Sequence, residues 1–382
     1  MKIRDICVGI TDGSHNPPQG IEISDYLMLS SKNVFDGKIT FDAPRYLSQL
    51  DFEQEDERTK IKPGDVLLTI VGTVGRTAVV DDTMPSFTLQ RSVAVLHPKV
   101  EMCNSRYLMY ALQGKRDYIE NHAKGVAQKG IYLKEVSNID LRIPSIDEQI
   151  SIVEVLDKVT SVIRARKQEI QKLDELIKSR FVEMFGDPVS NPKGWTMVPL
   201  GTRCEIITGN TPSRAEAKNY GEFIEWIKSD NINTPYTFLT KAQEYLSEIG
   251  FQKCRFVEAG SLLMTCIAGS VNCIGNVAVA DRRVAFNQQI NAIVPNEDEV
   301  LYLYWLMLLS KSAIHRAINM ALKGILSKRQ LSEMMFPFPP IALQKQFVTF
   351  VEQTDKSKLF VNVYFILIFC CFRCIINTSV KK

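Results

Sequence analysis

Residues 143–185 read IPSIDEQISIVEVLDKVTSVIRARKQEIQKLDELIKSRFVEMF, and from Ser145 to Phe185 the stretch holds no glycine and no proline. Ser145 with Glu148 predicts a capping box, in which each side chain satisfies an orphan amide of the first helical turn. Gly186 and Pro188 supply the stop signal. Leu156, Ile163, Ile170, Ile177 and Met184 recur every seven residues, with Ile152, Val159 and Leu173 in support. So narrow a stripe predicts a coiled-coil seam; a core helix would carry a broader apolar face. Seven Lys/Arg and eight Asp/Glu lie between Asp147 and Phe185, so burial on all sides is excluded. A helix of this length spans roughly 58 Å, the reach of a spacer.

The start of this helix returns later in the chain. Ile143-Pro144-Ser145-Ile146 with Gln149 reappears as Phe338-Pro339-Pro340-Ile341 with Gln344. Lys129-Gly130-Ile131 with Lys134 reappears as Lys323-Gly324-Ile325 with Lys328, and Ser31-Lys32-Asn33-Val34 as Ser229-Asp230-Asn231-Ile232. Gly64-Asp65-Val66-Leu67-Leu68-Thr69 is echoed by Gly260-Ser261-Leu262-Leu263-Met264-Thr265. The period is that of a domain with an appendage, far longer than a solenoid repeat. Before the first helix, Val66–Val71, Thr77–Val80 and Ser92–Leu96 read as strands, and 105–122 as a helix with Tyr107, Leu108, Ala111 and Leu112 on one face. The expected fold class is α+β: two similar mixed α/β domains separated by long coiled-coil helices, as a pseudo-twofold repeat. Expected boundaries are 1–143 for the first domain, 144–186 for the central helix, 187–340 for the second domain and 341–382 for a distal helix.

Composition bounds the function. At 382 residues, with 45% hydrophobic and 23% charged residues, the chain reads as globular. Its net charge of +3 leaves any nucleic-acid contact to local basic patches. Met1-Lys2-Ile3-Arg4-Asp5 is charged at once, and nine scattered cysteines suit a reducing compartment, so a cytoplasmic protein is expected. Cys371 and Cys374 form one CxxC without a second pair at zinc spacing, and the four histidines are dispersed, so no metal site is expected. Asn16-Pro17-Pro18 is followed by Gln19, where an amino-methyltransferase needs an aromatic ring to stack on the flipped base. No Walker A glycine loop occurs. A self-contained methyltransferase is therefore disfavoured, and no catalytic residue is assigned. Trp195, Trp226 and Trp305 read as packing residues.

Ile143-Pro144-Ser145-Ile146-Asp147-Glu148-Gln149-Ile150, the helix end Ser179-Arg180-Phe181-Val182-Glu183-Met184-Phe185-Gly186-Asp187-Pro188, and Asn191-Pro192-Lys193-Gly194-Trp195 with Val198-Pro199-Leu200-Gly201 carry a resemblance. With Phe336-Pro337-Phe338-Pro339-Pro340-Ile341 they resemble the specificity subunit of type I restriction–modification systems, over residues 1–358. The resemblance implies two target recognition domains, each reading half of a split site in double-stranded DNA. It also implies an antiparallel helix pair that sets the spacing and docks modification (methyltransferase) subunits, with restriction (translocase/nuclease) subunits joining the complex. The chain itself would be non-catalytic and would hold no cofactor; S-adenosylmethionine, ATP and Mg²⁺ would belong to its partners. A coiled-coil scaffold carrying two protein-binding domains is the alternative.

Base reading needs Arg, Lys, Asn, Gln, Ser or Thr on loops. The first domain offers Thr11, Asp12, Ser14, His15, Lys32, Asn33, Thr73, Arg76, Gln90, Arg91 and Lys129. The second offers Thr208, Asn210, Thr211, Lys228, Asn231, Ser270, Asn272, Asn287, Gln288, Gln289 and Lys323. The two sets fall at corresponding points of the repeat; such stretches also serve simply as turns. Lys129 and Lys323 suit phosphate contact. Leu156, Val159, Ile163, Ile170, Leu173, Ile177, Phe347 and Val351 are the expected helix-pairing residues. From Leu359 to Ile376 the repeat gives way to an apolar run interrupted by Asn362 and Arg373. The expectation there is a reading-frame change that shortens the distal helix, and not a membrane span.

Overall fold

The computed structural model describes residues 1–125, 129–318, 324–358 and Ile376. The chain divides into two compact units, one built on Met1–Lys167 and one on Gln168–Val361.

In the first unit an antiparallel sheet orders its strands Cys7–Asp12, Val93–Pro98, Val66–Thr69, Thr77–Val79. A second sheet pairs Leu27–Leu29 antiparallel to Arg45–Tyr46 and parallel to Phe87–Leu89. The apolar run of Val66–Thr69 has a physical cause. Val66 and Leu68 face a core closed by the helix Ser105–Gly114, while Leu67 faces the core shared with Leu29, Phe87 and Leu89. A strand between two cores has no solvent face and does not alternate with polar residues. The helix expected over 105–122 is two helices, Ser105–Gly114 and Arg116–His122, broken at Lys115.

The second unit repeats this connectivity. Cys204–Thr208, Ile290–Pro295, Ser261–Thr265 and Val277–Ala280 form the antiparallel sheet. Tyr220–Ile227 pairs antiparallel to Tyr245–Leu246 and parallel to Val284–Phe286. Phe256–Val257 is added beside Val284–Phe286. Leu262 and Met264 face one core and Leu263 the other, as in the first unit.

The helix Ile146–Phe185 is continuous. At its start Ser145 Oγ accepts the Glu148 amide at 3.3 Å, but the Glu148 carboxylate turns to Arg142, at 2.7 Å, so only half of the expected capping box forms. Leu156, expected in the helix pair, is fully buried in the first unit's own core beside Val153. At the other end Ile177, Phe181 and Phe185 enter the second unit's core together with Phe347 and Val351 of a helix over 341–358. Phe181 and Phe347 meet edge-on with centroids 5.3 Å apart, and Lys358 pairs with Asp174 at 2.6 Å. The two helices therefore run antiparallel over this stretch. Val159, Ile163, Ile170 and Leu173 are half-buried. Of the apolar run 359–376 only Ile376 is described, buried against the first unit's core; the rest of that expectation lies outside the described residues. Among the described residues no helix is long and apolar enough to cross a membrane.

Candidate nucleic-acid interface

Each unit gathers its candidate segments at one sheet edge, and main-chain hydrogen bonds do the gathering. In the first unit the Ser14 amide donates to Leu89 O at 2.8 Å, and the Arg91 amide to Ser14 O at 2.8 Å. The Gln90 amide donates to Leu29 O, and the Ser31 amide to Ser92 Oγ at 3.0 Å. Ile70 and Val71 both donate to Ser92 O, and Gly72 to Lys129 O. Thr11–His15, Ser31–Asn33, Gly72–Arg76, Gln90–Ser92 and Lys129 thus share one neighbourhood.

The second unit is wired the same way. Asn210 donates to Phe286 O, Asn287 to Ile227 O, and both Cys266 and Ile267 to Gln289 O. Thr208–Thr211, Lys228–Asn231, Ile267–Asn272 and Asn287–Gln289 converge. The turn at each edge demands glycine: a Cβ on Gly13 would lie 2.1 Å from Leu89 O, and one on Gly209 2.2 Å from Asn287 O.

The equivalence corrects one register. The Ile131 amide donates to Ile70 O and the Leu326 amide to Cys266 O, so Ile131 matches Leu326 and Gly130 matches Ile325. The Lys-Gly-Ile pairing drawn from sequence is one residue out of step. Lys323 itself lies outside the described residues.

Not every candidate has a free polar group. Asn33 is buried; its Oδ1 accepts the Ser30 amide and its Nδ2 donates to Asp42 O. Asn231 does the same work with the Lys228 amide and Lys241 O. Asp12 is buried, with one oxygen on Arg58 at 2.6 Å and the other on His15 at 2.8 Å. Ser14 is buried, and so is Asn287, which bonds Gln289. Among the described residues Thr11 Oγ1 is buried without a partner, while the Thr208 hydroxyl donates to Asn291 at 2.7 Å. The bonded residues hold the edge in shape.

The accessible groups differ between units. Lys32, Thr73, Arg91 and Lys129 are exposed and Gln90 half-buried. Arg76 lies over the Phe35 ring at 5.0 Å. Among the described residues none of these four cations has an ion-pair partner. In the second unit Thr211, Ser270, Asn272 and Gln288 are exposed, with Thr211 bonded to Gln288. Asn272 O accepts Lys311 Nζ at 2.8 Å. Lys228 stands over Trp226 and pairs with Glu244, which also takes Arg214 at 2.9 Å. Hydrogen bonding to Lys228 holds the Glu244 carboxyl below its ordinary range, against partial desolvation.

One matched pair escapes the sequence reading. Arg58 Nε donates to Asp12 O at 2.9 Å, and an Arg255 terminal nitrogen donates to Thr208 O at 2.5 Å. Both carbonyls immediately precede the glycine turn. Their flanks, Asp56-Glu57-Arg58-Thr59 and Lys253-Cys254-Arg255-Phe256, share nothing but the arginine; the repeat spacing was the one available signal. The buried thiols of Cys7, Cys103, Cys204 and Cys266 are each pushed up to about 12, chiefly by desolvation, and stay protonated at neutral pH. Among the described residues no group of three or more His, Cys, Asp or Glu could hold a metal ion.

Comparison with known proteins shows the family of the chain. The HindI type I restriction enzyme specificity subunit of Haemophilus influenzae is 33% identical over 117 residues, covering 29% of this chain and 24% of that one. The EcoBI specificity subunit of Escherichia coli is 24% identical over 188 residues, covering 48% and 38%. A putative specificity subunit of Methanocaldococcus jannaschii, MjaX, is 21% identical over 385 residues, covering 93% and 86%. The first two alignments thus span well under two thirds of those relatives. The type I restriction–modification S subunit from M. genitalium shares the fold, with 13% identity and a TM-score of 0.55 over 100% of this chain and 96% of that one. The type I restriction modification DNA specificity domain matches twice, at residues 23–175 and 192–360. The chain belongs to the family of type I restriction–modification specificity subunits.

Proposed function

We propose that this chain is the DNA-reading, non-catalytic subunit of a type I restriction–modification complex, each unit reading one half of a bipartite site. The observation that carries the reading is the same loop edge, built by the same main-chain hydrogen bonds, occurring once in each unit. A split site needs two readers joined at a set spacing, and a domain with its spacer helix used twice supplies both. The two edges carry different accessible side chains, so the two half-sites differ in sequence. Lys32, Arg76, Arg91 and Lys129, without ion pairs among the described residues, suit phosphate and guanine contact at the first edge. Thr211, Ser270, Asn272 and Gln288 present neutral donors and acceptors at the second. Lys129 stays a phosphate candidate, and Lys323 is proposed for the same role on sequence alone.

The helix pair is proposed to dock modification subunits, which bring S-adenosylmethionine, and through the complex the restriction subunits, which bring ATP and Mg²⁺. The expected compartment is the cytoplasm. Selection from randomised duplexes with the chain and its modification subunits should return two short motifs at a fixed gap. A scaffold for proteins would return no motif, and that result sinks the reading. Methyl transfer from S-adenosylmethionine by the isolated chain would overturn the non-catalytic assignment.

A further inference from the structure

We propose that Arg58 and Arg255 are a matched pair of DNA phosphate contacts, one at each recognition edge, and that Asp12 restrains Arg58; this rests on the DNA-reading function proposed above. Three observations carry it. Both guanidinium groups are anchored on the carbonyl just before the glycine turn, Arg58 on Asp12 O and Arg255 on Thr208 O. Both remain accessible: the Arg58 side chain is 50% exposed, and Arg255 is exposed. The anchoring segment is itself held in the second unit, where Asn210 Oδ1 accepts the Arg255 amide and Asn210 Nδ2 donates to Lys253 O, both at 2.8 Å.

The chemistry follows from the geometry. A guanidinium carries five N–H donors in a fixed fork. One or two are spent on the protein, which fixes the rotamer before any ligand arrives, and the others stay available to an anion. Ordering the side chain in advance lowers the cost of binding. A planar cation with its outer edge free beside a loop edge matches a phosphate.

The two edges differ in charge. Arg58 gives its second contact to the Asp12 carboxylate at 2.6 Å, which neutralises it; the helix that carries it also holds Asp51, Glu53, Glu55, Asp56 and Glu57. Among the described residues Arg255 has no ion pair, so its charge is uncompensated. The second edge therefore draws on Arg255 for its phosphate attraction, whereas Lys228 is occupied by Glu244. The first edge relies on Lys32, Arg91 and Lys129, with Arg58 held in reserve.

The test is the salt dependence of binding to a duplex of random sequence, since each phosphate neutralised by protein contributes about 0.9 to the slope of log K against log salt. Arg255→Ala should flatten that slope by about 0.9 and weaken all duplexes uniformly. Arg255→Lys keeps the charge and should restore most of the slope. Asp12→Asn, which leaves Arg58 uncompensated, should steepen it by a similar amount. An unchanged slope in Arg255→Ala, with wild-type thermal unfolding, overturns the proposal. So does an unchanged slope joined to altered preference at one base position, which would make Arg255 a base reader. Failure of the wild-type chain to bind any duplex would instead sink the function on which the proposal rests.

Discussion

Gln149 and Gln344 each devote a whole side chain to fastening one helix start to another. Gln149 Oε1 accepts the Asn104 amide, at the start of Ser105–Gly114, while its Nε2 donates to Met102 O and Pro144 O. Gln344 does the same with the Glu299 amide, Asp298 and Pro339 O. Both are fully buried, so truncation strands polar groups that water cannot reach. Gln149→Ala should cost about 2 kcal/mol by urea denaturation, and a cost near zero would show that the groups find other partners. Glu225 offers a pH prediction. Arg282 grips both its oxygens, at 2.6 and 2.8 Å, and holds its carboxyl below the ordinary value of 4.5. The folded-state value lies below the unfolded one, so its stabilisation is fully present above about pH 4.5 and is lost as pH falls through the folded value. In acid titrations of unfolding, Glu225→Gln should flatten the loss of second-unit stability below that pH. Parallel wild-type and variant curves would contradict the assignment.

At the scale of elements, the long helix turns out to be two kinds of surface. Its first turns bury Gln149, Val153 and Leu156 against the first unit, and its last turns bury Ile177, Phe181 and Phe185 in the second. The seven-residue stripe was legible in sequence because a seam and a core edge impose the same spacing. The half-buried grade of Val159, Ile163, Ile170 and Leu173, against the full burial of the helix ends, was not, because burial depends on what folds onto the helix. Phe347 meets Phe181 and Phe185 at 5.3 and 5.6 Å in a closed aromatic cluster with Tyr302. Phe347→Ala should cost about 3–5 kcal/mol and speed hydrogen exchange within residues 168–358. Asp174→Ala, by contrast, removes a partner that is 55% exposed and should change stability by less than about 1 kcal/mol.

For the whole molecule, the repeated edges imply independent readouts. Alanine at Gly13 collides with the main chain of the first edge alone, and at Gly209 with that of the second alone. Gly13→Ala should therefore blur one half-site in a randomised-duplex selection and leave the other sharp, with Gly209→Ala doing the reverse. Both halves blurring together in either variant would mean that the edges do not act separately.

The sequence alone determined the internal repeat, the α+β class and the long helix, and it marked polar loop residues at corresponding points of the repeat. Each of these is written in local patterns: periodicity, glycine placement, and a glutamine recurring in the same context. Only the tertiary structure decided which polar residues are spent. Asn33, Asn231 and Asp12 read like base contacts, yet their bonds close turns and hold Arg58 and His15. It likewise decided that Ile131 answers Leu326 and that Arg58 answers Arg255. The physical reason is that a hydrogen bond is made with whatever the fold brings within about 3 Å. Asn33 and Asn231 take one partner three residues away, but the bonds of Asp12 with Arg58, Ile131 with Ile70 and Arg255 with Thr208 join residues far apart in the chain, and no local pattern announces them.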